Sequence, residues 1–163
     1  MEEKKNKKEI EKTLVIIKPD AFQRGLLGEI IDRFEQKGLK LIGLKMTQLK
    51  DEILDKHYAE HKGKHFFERL KDFMKKMPVV IIVWEGLEAV RVVRTLCGST
   101  DGKDASPGTI RGDYSMSTSA NVVHASADKK AGQKEIGLFF KKTELFDYKK
   151  PDLDFYYADD ELE

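Results

Sequence analysis

The sequence predicts an α+β domain built on four strands and two crossover helices. Three observations carry that prediction. Four short strand-like runs punctuate the chain, two amphipathic stretches lie between pairs of those runs, and 163 residues suit a single domain. A chain of this size buries roughly 68–70% of its unfolded surface, enough for one sizeable core.

The elements follow in order. Residues 1–11 are charged and read as a disordered lead-in. TLVIIK (13–18) is a β-branched run stopped by Pro19, the signature of a buried strand. LLGEIIDRFEQKG (26–38) sets Leu27, Ile30, Ile31 and Phe34 at helical spacing, with Gly38 as the stop. LKLIGLKMTQL (39–49) alternates apolar and polar residues, as a second strand does. Two short helices, 51–61 and 66–76, are split at Gly63, and PVVIIVWEG (78–86) is the most strand-like stretch of all. LEAVRVVRTLCG (87–98) is a helix with Gly98 past its end. Residues 99–119 are rich in Gly, Ser, Thr, Asp and Pro; about twenty residues of loop in a compact domain is unusual unless the loop has a task. NVVHAS (121–126) is the last strand, 128–140 the last helix, and the tail from Lys141 carries aromatics without periodicity. This order matches a ferredoxin-like βαββαβ plan, a four-stranded antiparallel sheet covered by helices, with a long loop and a C-terminal extension added. The expected division is a lead-in over 1–11, a domain over 12–148 and an acidic, aromatic tail over 149–163.

Charge narrows the ligand class. Lys and Arg number 30 against 29 Asp and Glu, a net charge of +1, which argues against a general polyanion binder. The ends mask a basic body: residues 151–163 hold six acids and no base, so 13–150 carries 25 bases against 19 acids. That balance suits a small anionic ligand at least as well as a nucleic acid. The single cysteine, Cys97, excludes an internal disulfide and points to a reducing compartment. The longest apolar run, Val79–Trp84, is far too short to span a bilayer, and the first residues lack the apolar core of a secretory signal. The expectation is a cytoplasmic protein with no membrane partner.

Several residues invite a chemical reading beside an ordinary one. His57 and His61 in HYAEH fit an inverted zinc-peptidase pattern, or simply one face of a partly exposed helix. Lys18 ends a buried strand, as a solvated terminus or as a cation set at a crevice. Arg91 and Arg94 share a helix face and Arg111 sits near a Gly/Ser/Thr loop; with Thr100 they resemble a phosphate clamp, since guanidinium forks match phosphate oxygens. No Walker A loop is present. His124, behind Val122 and Val123, fits either a core residue or an oriented nucleophile. Glu135, eleven residues later, is near enough to hold one ring nitrogen and leave the other's lone pair free.

TLVIIKPDAFQRGLLGEII, HYAEHKGKHFF, PVVIIVWEG, PGTIRGDY, NVVHAS and KEIGLFF together resemble the nucleoside diphosphate kinase family, in the family's order and at near-family spacing, from Thr13 to Tyr148. The resemblance implies transfer of the terminal phosphate of a nucleoside triphosphate to a nucleoside diphosphate. The kinetics would be ping-pong through a phosphohistidine, with Mg²⁺ bridging the phosphates and broad base specificity. Residue by residue, it implies that His124 is phosphorylated and Glu135 holds its ring. Lys18 and Asn121 would bind the ribose hydroxyls, with Lys18 also near the transferred phosphate. Phe66 would stack on the base, with Leu70 as an apolar wall. Tyr58, His61, Arg94, Thr100 and Arg111 would form the phosphate side. It implies a homo-oligomer, and the long loop and the tail YKKPDLDFYY suggest a homohexamer in which the tail tyrosines anchor an interface, unless the acidic end is simply disordered.

The chain departs from the family pattern in places. Ala127 stands where the family has an aspartate, so Asp128 or Ser126 is expected to cap the last helix. Ser119 and Ala120 stand where many members have Gly-Arg. Two rival classes accompany the kinase reading: a catalytically silent nucleotide-binding relative, and the zinc peptidase raised by HYAEH.

Overall fold

Strand β1 (Ile10–Ile17) from Leu14 onward and strand β3 (Val79–Leu87) from Val79 to Trp84 are covered on both faces, which is why those stretches read as apolar runs instead of alternating ones. The computed structural model describes residues 9–162. The remaining elements are α1 (Pro19–Gln23), α2 (Leu27–Gln36), β2 (Lys40–Thr47), α3 (Asp51–His57), α4 (Phe67–Lys75), α5 (Ala89–Cys97), α6 (Ile110–Tyr114), β4 (Val123–Ala125) and α7 (Lys129–Phe139). The sheet order is β2-β3-β1-β4 with every neighbouring pair antiparallel. That is the ferredoxin-like arrangement expected from the sequence.

Alternation along β1 and β3 divides the core in two. Val15, Ile17, Val80, Ile82 and Trp84 pack with Ile30 and Phe34 of α2 and Val93 and Cys97 of α5. Leu14, Ile16, Ile81 and Val83 pack on the other face with Leu54 of α3, Met74 of α4 and Phe139 of α7. Each such fully buried side chain contributes roughly 1.5–3 kcal/mol. Strand β2 lies at the edge, and its Leu44 and Met46 are 47% and 56% exposed. Among the described residues no helix is long and apolar enough to cross a membrane. Cys97 is a buried free thiol whose pKa burial raises to about 11.

Four differences from the sequence reading have physical causes. Strand β1 begins at Ile10, which pairs with Leu87, so residues 10 and 11 belong to the sheet; residues 1–8 of the expected lead-in lie outside the described residues. Helix α1 starts at Pro19, where the fixed φ of proline suits a first helical turn. The 99–119 segment contains α6, capped by Thr109 Oγ1, which accepts from Gly112 N at 3.0 Å. Five residues are too few to show helical periodicity. The tail also packs on its own chain: Tyr148 Oη donates to Leu41 O (2.6 Å), Leu87 N donates to Tyr157 Oη (3.3 Å), and the Lys150 ammonium lies 4.0 Å from the Tyr156 ring centre. The tail tyrosines expected at an interface thus have partners within their own chain, while Phe155 is 90% exposed.

Candidate active site

Strand β4 is three residues long because the chain bends sharply before it. Val122 has φ +61°, and Val123 N donates to Asn121 O at 2.7 Å, closing a γ-turn. A β-branched residue in this region costs on the order of 1–3 kcal/mol and persists only where its surroundings hold it. They do: Val122 is fully buried, its N–H donates to Asp20 Oδ2 (3.1 Å), and its carbonyl accepts from Lys18 N (3.0 Å). The bend brings Asn121 and His124 to one cleft of about 680 Å³.

Ten of the eleven residues expected at the site line that cleft: Lys18, Tyr58, His61, Phe66, Leu70, Arg94, Thr100, Arg111, Asn121 and His124. Glu135 stands behind His124, its Oε1 2.9 Å from the ring Nε2. A carboxylate only accepts, so Nε2 carries the proton and the lone pair is left on Nδ1. The second oxygen, Oε2, accepts from Ser126 Oγ at 2.6 Å, and that hydroxyl in turn accepts from Leu14 N at 3.1 Å. Burial alone would raise the Glu135 pKa, but the hydrogen bond and charge of His124, with Ser126 and His57 behind them, hold it below the usual carboxylate value.

The cations are tied to backbone before any ligand arrives. Lys18 Nζ donates to Asn121 Oδ1 (2.6 Å) and Ser119 O (3.1 Å), and burial lowers its pKa to about 8, against the opposing pull of Asp20. Asn121 Nδ2 donates to Thr100 O and Thr118 O, both at 2.9 Å. Arg111 donates to Gly98 O (2.8 Å), Val123 O (2.8 Å) and Asn121 O (3.3 Å), which leaves two of a guanidinium's five N–H donors. Burial lowers the Arg111 pKa as well. At the mouth, His61 stacks on Tyr58 and stands edge-on to Phe66, which is half-buried. Burial raises the Tyr58 phenol.

Some sequence readings change here. Helix α3 stops at His57, so His57 and His61 do not share a helix face as a zinc peptidase would need. The His57 side chain is only 1% exposed and packs on His124, Tyr58 and Phe139, instead of lying on a partly exposed face. Burial and the neighbouring His124 push its pKa down to about 3. Arg91 does not join the clamp: it is exposed and bonds Glu88 at 2.8 Å. Asp128, not Ser126, caps α7, accepting from Ala131 N at 2.8 Å. Three contributors escaped the sequence reading. Val122 reads as strand, and Ser126 offered only a capping signal. Asp20 follows a proline, and that helix-start signal would have found it.

The family model described as nucleoside diphosphate kinase matches residues 11–145. A nucleoside diphosphate kinase of Parabacteroides distasonis is 56% identical over 153 residues, covering 94% of this chain and 100% of the relative. One of Pyrococcus furiosus is 57% identical over 145 residues, covering 87% and 90%. Among solved structures, the Halobacterium salinarum nucleoside diphosphate kinase in complex with CDP superposes with a TM-score of 0.90 at 45% identity, covering 92% of this chain and 100% of that one. A transition-state mimic of the Borrelia burgdorferi enzyme with bound vanadate and ADP gives 0.84 at 38% identity, covering 91% and 98%.

Proposed function

The chain belongs to the nucleoside diphosphate kinase family, and on that premise we propose that His124 carries the phosphoryl group in transit from a nucleoside triphosphate to a nucleoside diphosphate. The observation that carries this assignment is the His124–Glu135 pair: one nitrogen is pinned at 2.9 Å and the ring lines a cationic cleft. The Nδ1 lone pair attacks the terminal phosphorus, an N–P bond forms, and the P–O bond to the departing diphosphate breaks. Glu135 offsets the positive charge that the ring gains. The acceptor diphosphate then attacks the same phosphorus in reverse, which gives ping-pong kinetics.

Phosphoryl transfer has little covalent chemistry for the protein to perform, so catalysis is positioning and charge neutralisation. Arg94, the two remaining donors of Arg111 and the third N–H of Lys18 meet the phosphate oxygens, with Thr100, His61 and Tyr58 beside them. Asn121 has spent both N–H donors, so it accepts a ribose hydroxyl on the remaining lone pair of Oδ1. Phe66 stacks on the base beside Leu70, and stacking tolerates every base because each has a π-face. Among the described residues Asp72 is the one carboxylate lining the cleft, too few for an oxygen cage; Mg²⁺ fits as an ion held by the nucleotide phosphates, where it would neutralise their charge.

We assign the protein to the cytoplasm, a reducing compartment in which the buried thiol of Cys97 needs no partner. The assembly we propose is a homohexamer, supported by the exposed Leu44 and Met46 of the β2 edge and by Phe155; sedimentation distinguishes it from a monomer or tetramer. The catalytic assignment is tested by incubating the protein with γ-labelled ATP and Mg²⁺. An acid-labile, base-stable label is expected on the wild type and none on His124→Ala. Label persisting on that variant refutes the nucleophile, and nucleotide binding without any label would make the chain a silent relative.

A further inference from the structure

Phosphoryl transfer gives His57 no task, yet its side chain is buried against the nucleophile. Neither of its nitrogens has a hydrogen-bond partner, although its side chain is 1% exposed. An unmet polar group in that position costs on the order of 1–3 kcal/mol. The ring stands edge-on to His124, with centroids 4.7 Å apart, and its Nδ1 lies 3.8 Å from Glu135 Oε1. Donor atoms of His57, His124 and Glu135 all lie within 4.8 Å of one another.

Two imidazoles and one carboxylate, with a fourth position open, form a donor set suited to zinc. Tetrahedral bonds of about 2.0–2.1 Å put donor atoms roughly 3.3 Å apart. The 2.9 Å His124–Glu135 and 3.8 Å His57–Glu135 separations lie on either side of that value. The way in is the cleft, since the His124 side chain is 22% exposed. Mg²⁺ prefers oxygen and keeps its waters, so it does not compete for two imidazoles.

We propose that His57, His124 and Glu135 form a second, inhibitory metal site for a borderline-soft divalent ion such as Zn²⁺. The inhibition rests on the phosphohistidine reading; the site itself does not. A metal on His124 Nε2 takes the place of the proton there. A neutral imidazole has one N–H, so that proton moves to Nδ1, and the lone pair that would attack phosphorus is gone. The ion also takes the Glu135 charge that would otherwise stabilise the phosphorylated ring.

Nucleotide-free, full-length protein titrated with Co²⁺ tests the site without any turnover. We expect one Co²⁺ per chain, displaced by Zn²⁺, with visible absorption of tetrahedral strength. His57→Phe keeps a ring and should lose that band; His57→Gln serves as a second variant, with circular dichroism reporting whether each folds. Zn²⁺-loaded wild type should take label from γ-labelled ATP at least about tenfold more slowly, and EDTA should restore the rate. Absence of stoichiometric Co²⁺, or an unchanged band in folded His57 variants, overturns the site. Binding through His57 with undiminished labelling overturns the inhibition, and His124→Ala separates that result from a wrong nucleophile.

Discussion

Glu135→Gln isolates the charge of the carboxylate from its shape. The amide oxygen can still accept from His124 Nε2, where the carboxylate now sits at 2.9 Å. The amide nitrogen can donate to Ser126 Oγ, because that hydroxyl can turn its proton toward Leu14 O, now 3.3 Å away. The tautomer is therefore preserved and Nδ1 keeps its lone pair. What disappears is the charge-assisted part of the bond. Hydrogen bonds to charged groups contribute about 1.5–3 kcal/mol against about 0.5–1.5 for neutral ones. The difference grows as the ring becomes cationic in a partly buried site, so the barrier should rise by about 1.4–2 kcal/mol, or roughly tenfold to thirtyfold in rate. The assay is single-turnover labelling of the protein by γ-labelled ATP, quenched in base. Glu135→Ala, which also frees the ring to rotate, should be slower still. A Gln variant that labels within about twofold of wild type would refute the claim that the carboxylate acts through its charge.

The same geometry sets expectations for Lys18, Asp128 and Phe66. Burial lowers the Lys18 pKa from 10.5 to about 8, so kcat/KM should fall as the cation is lost through that pH, and a profile flat to pH 10 would remove Lys18 from the phosphate side. Stability moves the other way: the fold penalises the charged amine, so the Lys18 contribution to stability improves between about pH 8 and 10.5. Asp128→Ala removes the 2.8 Å cap on Ala131 N, which costs about 1 kcal/mol and lowers Tm by about 2–4 °C in calorimetry with kcat unchanged; an unmoved Tm refutes the cap. Phe66→Ala should lower kcat/KM for every nucleotide alike, by the ~1–3 kcal/mol of a stacked base, and a loss confined to one base would reveal a reading contact instead.

Physical signals in the sequence explain what was legible in it. Leu14–Ile17 of β1 and Val79–Trp84 of β3 announce themselves because burial on both faces leaves no polar alternation to dilute the run. Lys18, Arg94, Arg111, Asn121 and His124 stood out as charged or polar residues at strand ends and beside a loop rich in small residues, and the structure gathers them on one cleft. The γ-turn at Val122 was hidden, since valine argues for extended backbone and only tertiary bonds from Asp20 and Lys18 force it to φ +61°. Ser126 was read only as a possible cap because its bond to Glu135 is set by the sheet and α7 together. His57 lies in a motif whose spacing suits a continuous helix, and neither the break after it nor its ring contacts with His124 and Phe139 leave a local signal in the sequence.

The hidden features share a purpose that explains the visible ones. Arg111 and Lys18 spend most of their donors, and Asn121 both of its own, on the segment 98–123, so the remaining donors of Arg111 and Lys18 are already aimed when a polyphosphate enters. Groups held this way need no reorganisation as charge shifts in the transition state, which is where preorganised electrostatics gain most over water. The strained turn at Val122 belongs to the same construction. Relaxing it would return one peptide to ordinary geometry, but it would also free the carbonyls of Asn121 and Val123, two of the three on which Arg111 is hung. The local strain therefore fixes a cation, and the cation fixes the phosphate side on which the imidazole works.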